Sequence, residues 1–142
     1  MRPNGTLLVD TGFWFAFFDG HEEKHPSASA KSDVIDKAKI AVPWPILYET
    51  LNTRFIKNPM RVNRFDLLLK HPKTELIDDA SYRDEALHAI IRESQNRLRA
   101  ISLVDMVIRF ILNDPNVRID AILTFNQSDF ADVCRRRRIE ML

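Results

Sequence analysis

Three acids in this chain sit in apolar company. Asp10 follows Thr6-Leu7-Leu8-Val9, Glu49 lies within Ile46-Leu47-Tyr48-Glu49-Thr50-Leu51, and Asp105 lies within Ile101-Ser102-Leu103-Val104-Asp105-Met106-Val107-Ile108. Carboxylates are seldom buried unless they are paired or hold a metal, because an isolated ion gives up its hydration without compensation. Three such acids, far apart in the chain, point to one acidic site assembled by folding. Clustered carboxylates repel one another and coexist only with protons, basic side chains or cations. Hard oxygen donors without accompanying His or Cys favour magnesium or manganese over zinc. Ions of that kind polarise a phosphodiester, acidify bound water and shield a leaving oxygen.

Plainer roles are open to two of the acids. Asp10 can cap a helix beginning at Thr11, and Asp105 can be an N-terminal helix charge. Glu49 is harder to dismiss, since it falls between Leu47 and Leu51 rather than on an evidently polar face.

The elements that must position these residues alternate between strands and helices. Thr6 to Asp10 reads as a short buried strand, and the aromatic-rich Thr11 to Phe18 as a helix packed on the sheet and closed by Gly20. Pro26 suits the first turn of a helix running to about Lys39. Ile40-Ala41-Val42 is a second strand ended by Pro43 and Pro45. Apolar spacing predicts a helix from Ile46 to about Lys57, and Val62, Phe65, Leu68 and Leu69 mark another after Asn58-Pro59. Thr74 to Ile77 is a third strand. Asp78 or Asp79 is expected to cap a helix from Ala80 to about Gln95, with Ala86, Leu87, Ile90 and Ile91 inward. Ser102 and Asp105 have capping geometry for a helix carrying Val104, Val107, Ile108, Ile111 and Leu112 and stopping at Asn113-Asp114-Pro115. Ile119 to Leu123 is a fourth strand, Ser128 to Cys134 a short helix, and Ile139 to Leu142 a last strand.

This alternation implies a three-layer α/β/α sandwich around a central, mainly parallel sheet of four to five strands. Ligands of such sheets bind beyond the carboxyl ends of the strands. Asp10 ends the first strand, Glu49 lies one turn into the helix after the second, and Asp105 opens a helix. Asn126 and Asp129 follow the fourth strand, so all five side chains can reach one region.

A length of 142 residues fits a single domain spanning 1–142, and a net charge of +1 neither announces nor excludes a nucleic-acid partner. Cys134 is the only cysteine, so no intrachain disulfide is possible, and as a nucleophile it lacks an evident base partner. With no signal-peptide pattern and no apolar stretch of transmembrane length, a cytoplasmic protein away from membranes is expected.

Other motifs have ordinary explanations. His21-Glu22-Glu23-Lys24-His25 matches the zinc-protease pattern H-E-x-x-H, but Gly20 precedes it, Pro26 follows it and nothing between is apolar. A residue before proline avoids the helical region, so His25 is badly placed as a second ligand and a polar loop is expected. Arg135-Arg136-Arg137-Arg138 reads as a solvated run, with Asp132 or Glu140 as pairing partners or with phosphate or partner contact as a role. Arg92, Arg97 and Arg99 have a similar claim on phosphate. His71 and His88 are expected at the surface. The Phe13–Phe18 aromatics suit core or a subunit interface better than base stacking, and burying them suits a homodimer.

A resemblance ties the acids together. Leu7-Leu8-Val9-Asp10-Thr11-Gly12-Phe13-Trp14, Tyr48-Glu49-Thr50-Leu51-Asn52, Ser102-Leu103-Val104-Asp105 and Leu123-Thr124-Phe125-Asn126-Gln127-Ser128-Asp129-Phe130 resemble the ordered acidic motifs of PIN-domain nucleases. The similarity is greatest to VapC-type toxins of type II toxin–antitoxin pairs and covers essentially the whole chain. It implies a PIN-like fold and an Mg2+- or Mn2+-dependent endoribonuclease that hydrolyses RNA through metal-activated water, without a covalent intermediate. Asp10, Glu49 and Asp105 fall on the family's metal-binding acids, and Thr11 on its small hydroxyl residue. Where the family usually carries a fourth acid this chain has Asn126; Asp129 is the expected substitute as metal ligand and catalytic acid, with Asn126 in support. An RNA substrate, a cognate antitoxin blocking the cleft and a homodimer are the implied partners.

Two rivals differ in class. Asn126 motivates a catalytically impaired PIN-like module that binds RNA or protein. A phosphatase or phosphoacceptor domain fits poorly, because Asp10-Thr11-Gly12 lacks an Asp-x-Asp form.

Overall fold

The computed structural model describes residues 2, 4–96 and 100–142; Arg97 and Arg99 lie outside them. Among the described residues, the strands are β1 (Thr6–Val9), β2 (Lys39–Pro43), β3 (Thr74–Ile77), β4 (Ala121–Leu123) and β5 (Glu140–Met141). They form one sheet of order β3-β2-β1-β4-β5 with every pairing parallel. Leu7, Leu8 and Val9 of β1 and Ala121, Ile122 and Leu123 of β4 are all 0% exposed, as expected for central strands covered on both faces.

Strand order determines where the helices go. The chain steps from β1 to β2 to β3 in one direction, then returns past β1 to β4 and β5. Right-handed crossovers therefore put the intervening helices on opposite faces. The first group comprises α1 (Thr11–Phe18), α2 (His25–Ser29), α3 (Ser32–Lys37), α4 (Trp44–Thr50), α5 (Thr53–Ile56) and α6 (Pro59–Leu69). The second comprises α7 (Arg83–Gln95), α8 (Leu103–Asn113) and α9 (Gln127–Arg137). The reversal leaves a switch point between the carboxyl ends of β1 and β4, where such sheets open a crevice. No helix among the described residues is long and apolar enough to cross a membrane.

Four expectations about elements need correction. The expected helix over 26–39 is two, α2 and α3, with Ala28 and Ile35 as their buried contacts. The expected helix over 46–57 begins earlier, at Trp44, and breaks at Leu51-Asn52. Asn52 is extended, with its Oδ1 accepting from Phe55 N–H (3.0 Å) and its Nδ2 donating to the Glu49 carbonyl (3.0 Å). Its side chain thus competes with the helical backbone and starts a new helix.

The helix expected from Ala80 starts at Arg83. Asp78 makes a local turn by accepting from Ala80 N–H (3.0 Å), and Asp79 pairs with Arg83 (2.9 Å) instead of capping. Its inward face is Ala86, Ala89 and the half-buried Ile90, while Leu87 and Ile91 are 46% and 47% exposed. The last helix runs on to Arg137, placing Arg135, Arg136 and Arg137 in its final turn, where cations complement the macrodipole. Arg138 closes it in the left-handed region at φ 57.

The Phe13–Phe18 aromatics prove to be core. Trp14, Phe18, Phe55 and Phe65 pack ring to ring at centroid separations of 5.5–6.1 Å. Phe15 and Phe17 are half-buried beside them.

Candidate active site at the sheet switch point

Asp10 is the anchor of the crevice. Its backbone N–H continues the β1–β4 ladder by donating to the Leu123 carbonyl (2.9 Å), and its side chain caps α1 by accepting from Thr11 N–H (2.8 Å). The register Val9↔Leu123 makes Thr124 the next residue opposite it. The Thr124 hydroxyl donates to Asp10 Oδ2 (2.9 Å) and accepts from Asn126 N–H (3.0 Å). On the other side, the Thr11 hydroxyl donates to Glu49 Oε1 (2.8 Å). A continuous hydrogen-bonded line therefore runs Glu49–Thr11–Asp10–Thr124–Asn126.

The capping role and the site role of Asp10 are thus held at once. Thr124 falls within the Leu123–Phe130 motif, where nothing singles out its hydroxyl as a partner of Asp10. Its cue is positional: it ends β4 as Asp10 ends β1.

Burial is less uniform than three embedded acids suggest. Asp10 is 5% exposed, Asp105 is half-buried, and the Glu49 residue as a whole is exposed on the last turn of α4. Asp105 lies on the first turn of α8, its N–H donating to the capping Ser102 hydroxyl (3.1 Å). Asp129 is half-buried on the first turn of α9, and Asn126 is exposed, with no cap bond from its side chain.

The acids feel one another. Burial, opposed by hydrogen bonds from Thr124 and Thr11 and reinforced by the Asp129 charge, raises the Asp10 pKa. Burial of its carboxylate end raises that of Glu49, the Thr11 bond lowers it, and the Asp10 charge adds to the rise. Asp105 is pushed up to about 7, first by burial and then by the charges of Asp10, Asp129 and Glu49. Raised carboxylate pKa values clustered in a cleft mark a candidate functional site.

The consequence for stability has a definite sign. Asp105 ionises near 3.8 in an unfolded chain and near 7 in the fold, so the folded state holds an extra proton between those values. Stability of metal-free protein should fall as pH rises through that window. Asp105→Asn should flatten the fall and raise stability at pH 8 by roughly 1–2 kcal/mol, after discounting for solvent screening. Thermal melts in chelator at pH 5 and pH 8 test this; a variant no more stable than the parent at pH 8 would refute it.

The donor set fits a hard divalent cation: carboxylates, hydroxyls and one amide, with no thiol or imidazole in the hydrogen-bonded line. Among the described residues, no three His, Cys, Asp or Glu side chains form a ready-made metal cage. The carboxylates instead repel, which a bound cation would relieve.

The remaining motifs add no group to this hydrogen-bonded line, although Lys24 Nζ lies 4.6 Å from the centre of the Phe125 ring, between Thr124 and Asn126. His21 to Lys24 are turns and a bend as expected, but His25 opens α2 ahead of Pro26 instead of lying in the loop. His25 uses both ring nitrogens locally: Nδ1–H donates to the Ala16 carbonyl (2.7 Å) and Nε2 accepts from Ser29 (3.1 Å), a tautomer assigned from the acceptor-only carbonyl. Asp132 pairs with Arg109, and Arg136 donates to Asn113 Oδ1. His71 and His88 are exposed. Burial pushes the Cys134 thiol up to about 11, which suits an inert core residue.

No protein-family model and no curated protein matches this sequence. Solved structures do resemble it. Mycobacterium tuberculosis VapC20, a Sarcin-Ricin loop cleaving toxin, superposes with a TM-score of 0.68 at 19% identity, covering 89% of this chain and 94% of that one. VapBC2 from Rickettsia felis, bound to a DNA fragment from its promoter, gives a TM-score of 0.60 at 15% identity, covering 96% and 97% of the two chains. At such identities the likeness speaks for architecture, and together with the all-parallel sheet it means that this chain has the PIN-like fold of the VapC proteins.

Proposed function

We propose that the chain is a divalent-metal-dependent endoribonuclease and the toxin of a toxin–antitoxin pair. The observation that carries this reading is that Asp10, Glu49 and Asp105 each feel the charge of another acid of the set, Asp129 included, at the switch point of a PIN-like fold. Asp10 and Asp105 would hold the principal Mg2+ or Mn2+, with Glu49 and Asp129 completing the acidic rim. When bound, the cation would polarise the phosphodiester and acidify water at the cleft.

The chain's own groups prepare that site. Thr124 and Thr11 each donate a hydroxyl proton to a carboxylate, fixing the orientation of Asp10 and Glu49. Asn126 has its backbone N–H committed to Thr124, which leaves its exposed amide side chain facing solvent as an uncharged donor and acceptor.

Purified protein should cleave structured RNA when Mg2+ or Mn2+ is added and stop when a chelator removes it. Cleavage that persists in chelator would reject the metal requirement. The neutral Asn126 favours a second reading, an impaired module, for which the signature is RNA binding without cleavage at any metal concentration.

Partners follow from the same reading. A cognate antitoxin would cover the acidic cleft, offering Arg or Lys to the carboxylates. A homodimer would use a face different from the aromatics of α1. Trp44, Tyr48 and Leu51, Leu87 and Ile91, and Leu103 are exposed on or beside α4, α7 and α8. Sedimentation equilibrium should report a dimer; a monomer at all concentrations would remove this proposal.

A further inference from the structure

Arg109 lies one helical turn beyond Asp105 on α8, and its guanidinium reaches across to α9. Nη1 donates to the backbone carbonyl of Asp129 (2.6 Å), and the same nitrogen and Nη2 form a two-pronged pair with Asp132 (2.7 Å each). Only 15% of the side chain is exposed, so solvent screens this clamp weakly, whereas Asp132 is 47% exposed. We propose that Arg109 is a positioning residue that sets the separation of Asp105 and Asp129 across the candidate metal site. This inference rests on the nuclease reading above.

The argument is geometric. Asp105 and Asp129 each sit on the first turn of a helix, and the two carboxylates repel one another. Phe130, Val133 and Cys134 bury the apolar face of α9 and Arg136 bonds Asn113 near the far ends of the two helices, but apolar packing is non-directional and does not itself fix the angle of Asp129 against Asp105. Arg109 ties the backbone of Asp129 itself, not merely its helix, to the helix that carries Asp105. The planar fork admits one orientation against a carboxylate, so the tie fixes angle as well as distance. The charges of Asp132, Glu93 of α7 and Asp129 all favour the guanidinium, and the Asp132 bond is the largest of these effects. The clamp therefore also brings a positive charge to the α9 side of the acidic cluster.

Arg109 touches no reacting group in this account. Its removal should loosen cation binding and slow the chemical step without changing how RNA docks. The tests are Arg109→Met and Arg109→Lys, followed by Mn2+ titration calorimetry without RNA and by steady-state cleavage. Arg109→Met should weaken Mn2+ and lower kcat by about 10-fold each with KM for RNA unchanged. Lysine, which keeps the charge but loses the fork, should recover only part of both. Asp132→Asn breaks the exposed half of the clamp and should move both quantities the same way but less; it serves if the methionine variant does not fold. A folded Arg109→Met that binds Mn2+ and turns over like the parent overturns the proposal alone. A parent protein with no metal-dependent cleavage overturns the nuclease reading, and this inference with it.

Discussion

Asp10→Asn is expected to lower metal-dependent RNA cleavage by about 10²–10³-fold while leaving the protein folded and at least as stable as the parent. The separation of the two effects comes from the hydrogen bonds. Asparagine can keep its oxygen toward Thr11 N–H, preserving the cap on α1, and turn its amide toward the Thr124 oxygen. What disappears is a charge at a 5% exposed position whose burial already disfavours ionisation. Losing that charge removes an electrostatic cost from the fold and a principal oxygen ligand from the cation. Cleavage rates in saturating Mg2+, paired with melting curves, measure both halves. Parent-like cleavage would sink the assignment of Asp10; loss of activity accompanied by unfolding would leave it a structural cap.

The largest effect on stability is expected at Phe65. Its ring is fully buried on α6 and meets Phe18, Trp14 and Phe55 at centroid separations of 5.5, 5.7 and 5.9 Å. Phe65→Ala removes those contacts and leaves a cavity that rigid neighbouring rings cannot fill, at a cost of about 3–5 kcal/mol. For a chain of this size the melting temperature should drop by roughly 10–17 °C. Leu67→Ala, two residues away but 71% exposed, should change stability by about 0.5 kcal/mol or less. Denaturant unfolding of the pair is decisive, since equal losses would mean that the aromatic cluster does not hold α6 to α1.

Legibility varied with the range of the interaction. Runs such as Leu7-Leu8-Val9 and the periodic Val107, Ile108, Ile111 and Leu112 declare strand and helix because burial acts on each residue by its own polarity. The breaks are harder to see. Asn52 stops a helix because its side chain finds two nearby backbone partners, in a segment whose apolar spacing would also suit continuation. Residue type places Ala86, Leu87, Ile90 and Ile91 inward, and the fold keeps Ala86 and the half-buried Ile90 there with Ala89, while Leu87 and Ile91 stay exposed, because the rotation of α7 against α8 is set by the packed pair of helices.

The candidate site divides in the same way. Asp10, Asp105 and Asp129 could be chosen from the sequence because an acid at a strand's end or a helix's start already has a direction and a reason, and Glu49 because it falls between Leu47 and Leu51. The alternation of elements sufficed to predict a parallel sheet with those positions along one edge. Only the tertiary structure decided that Thr124 grips Asp10 across 114 residues, that Glu49 is tied through Thr11 while remaining exposed, and that Arg109 holds Asp129. Those bonds depend on the register of β1 against β4, on how α4 meets α1 and on how α8 meets α9. The pKa of Asp105 likewise depends on charges brought close by folding. Periodicity is a property of neighbours along the chain; register, helix approach and electrostatic coupling belong to neighbours in space.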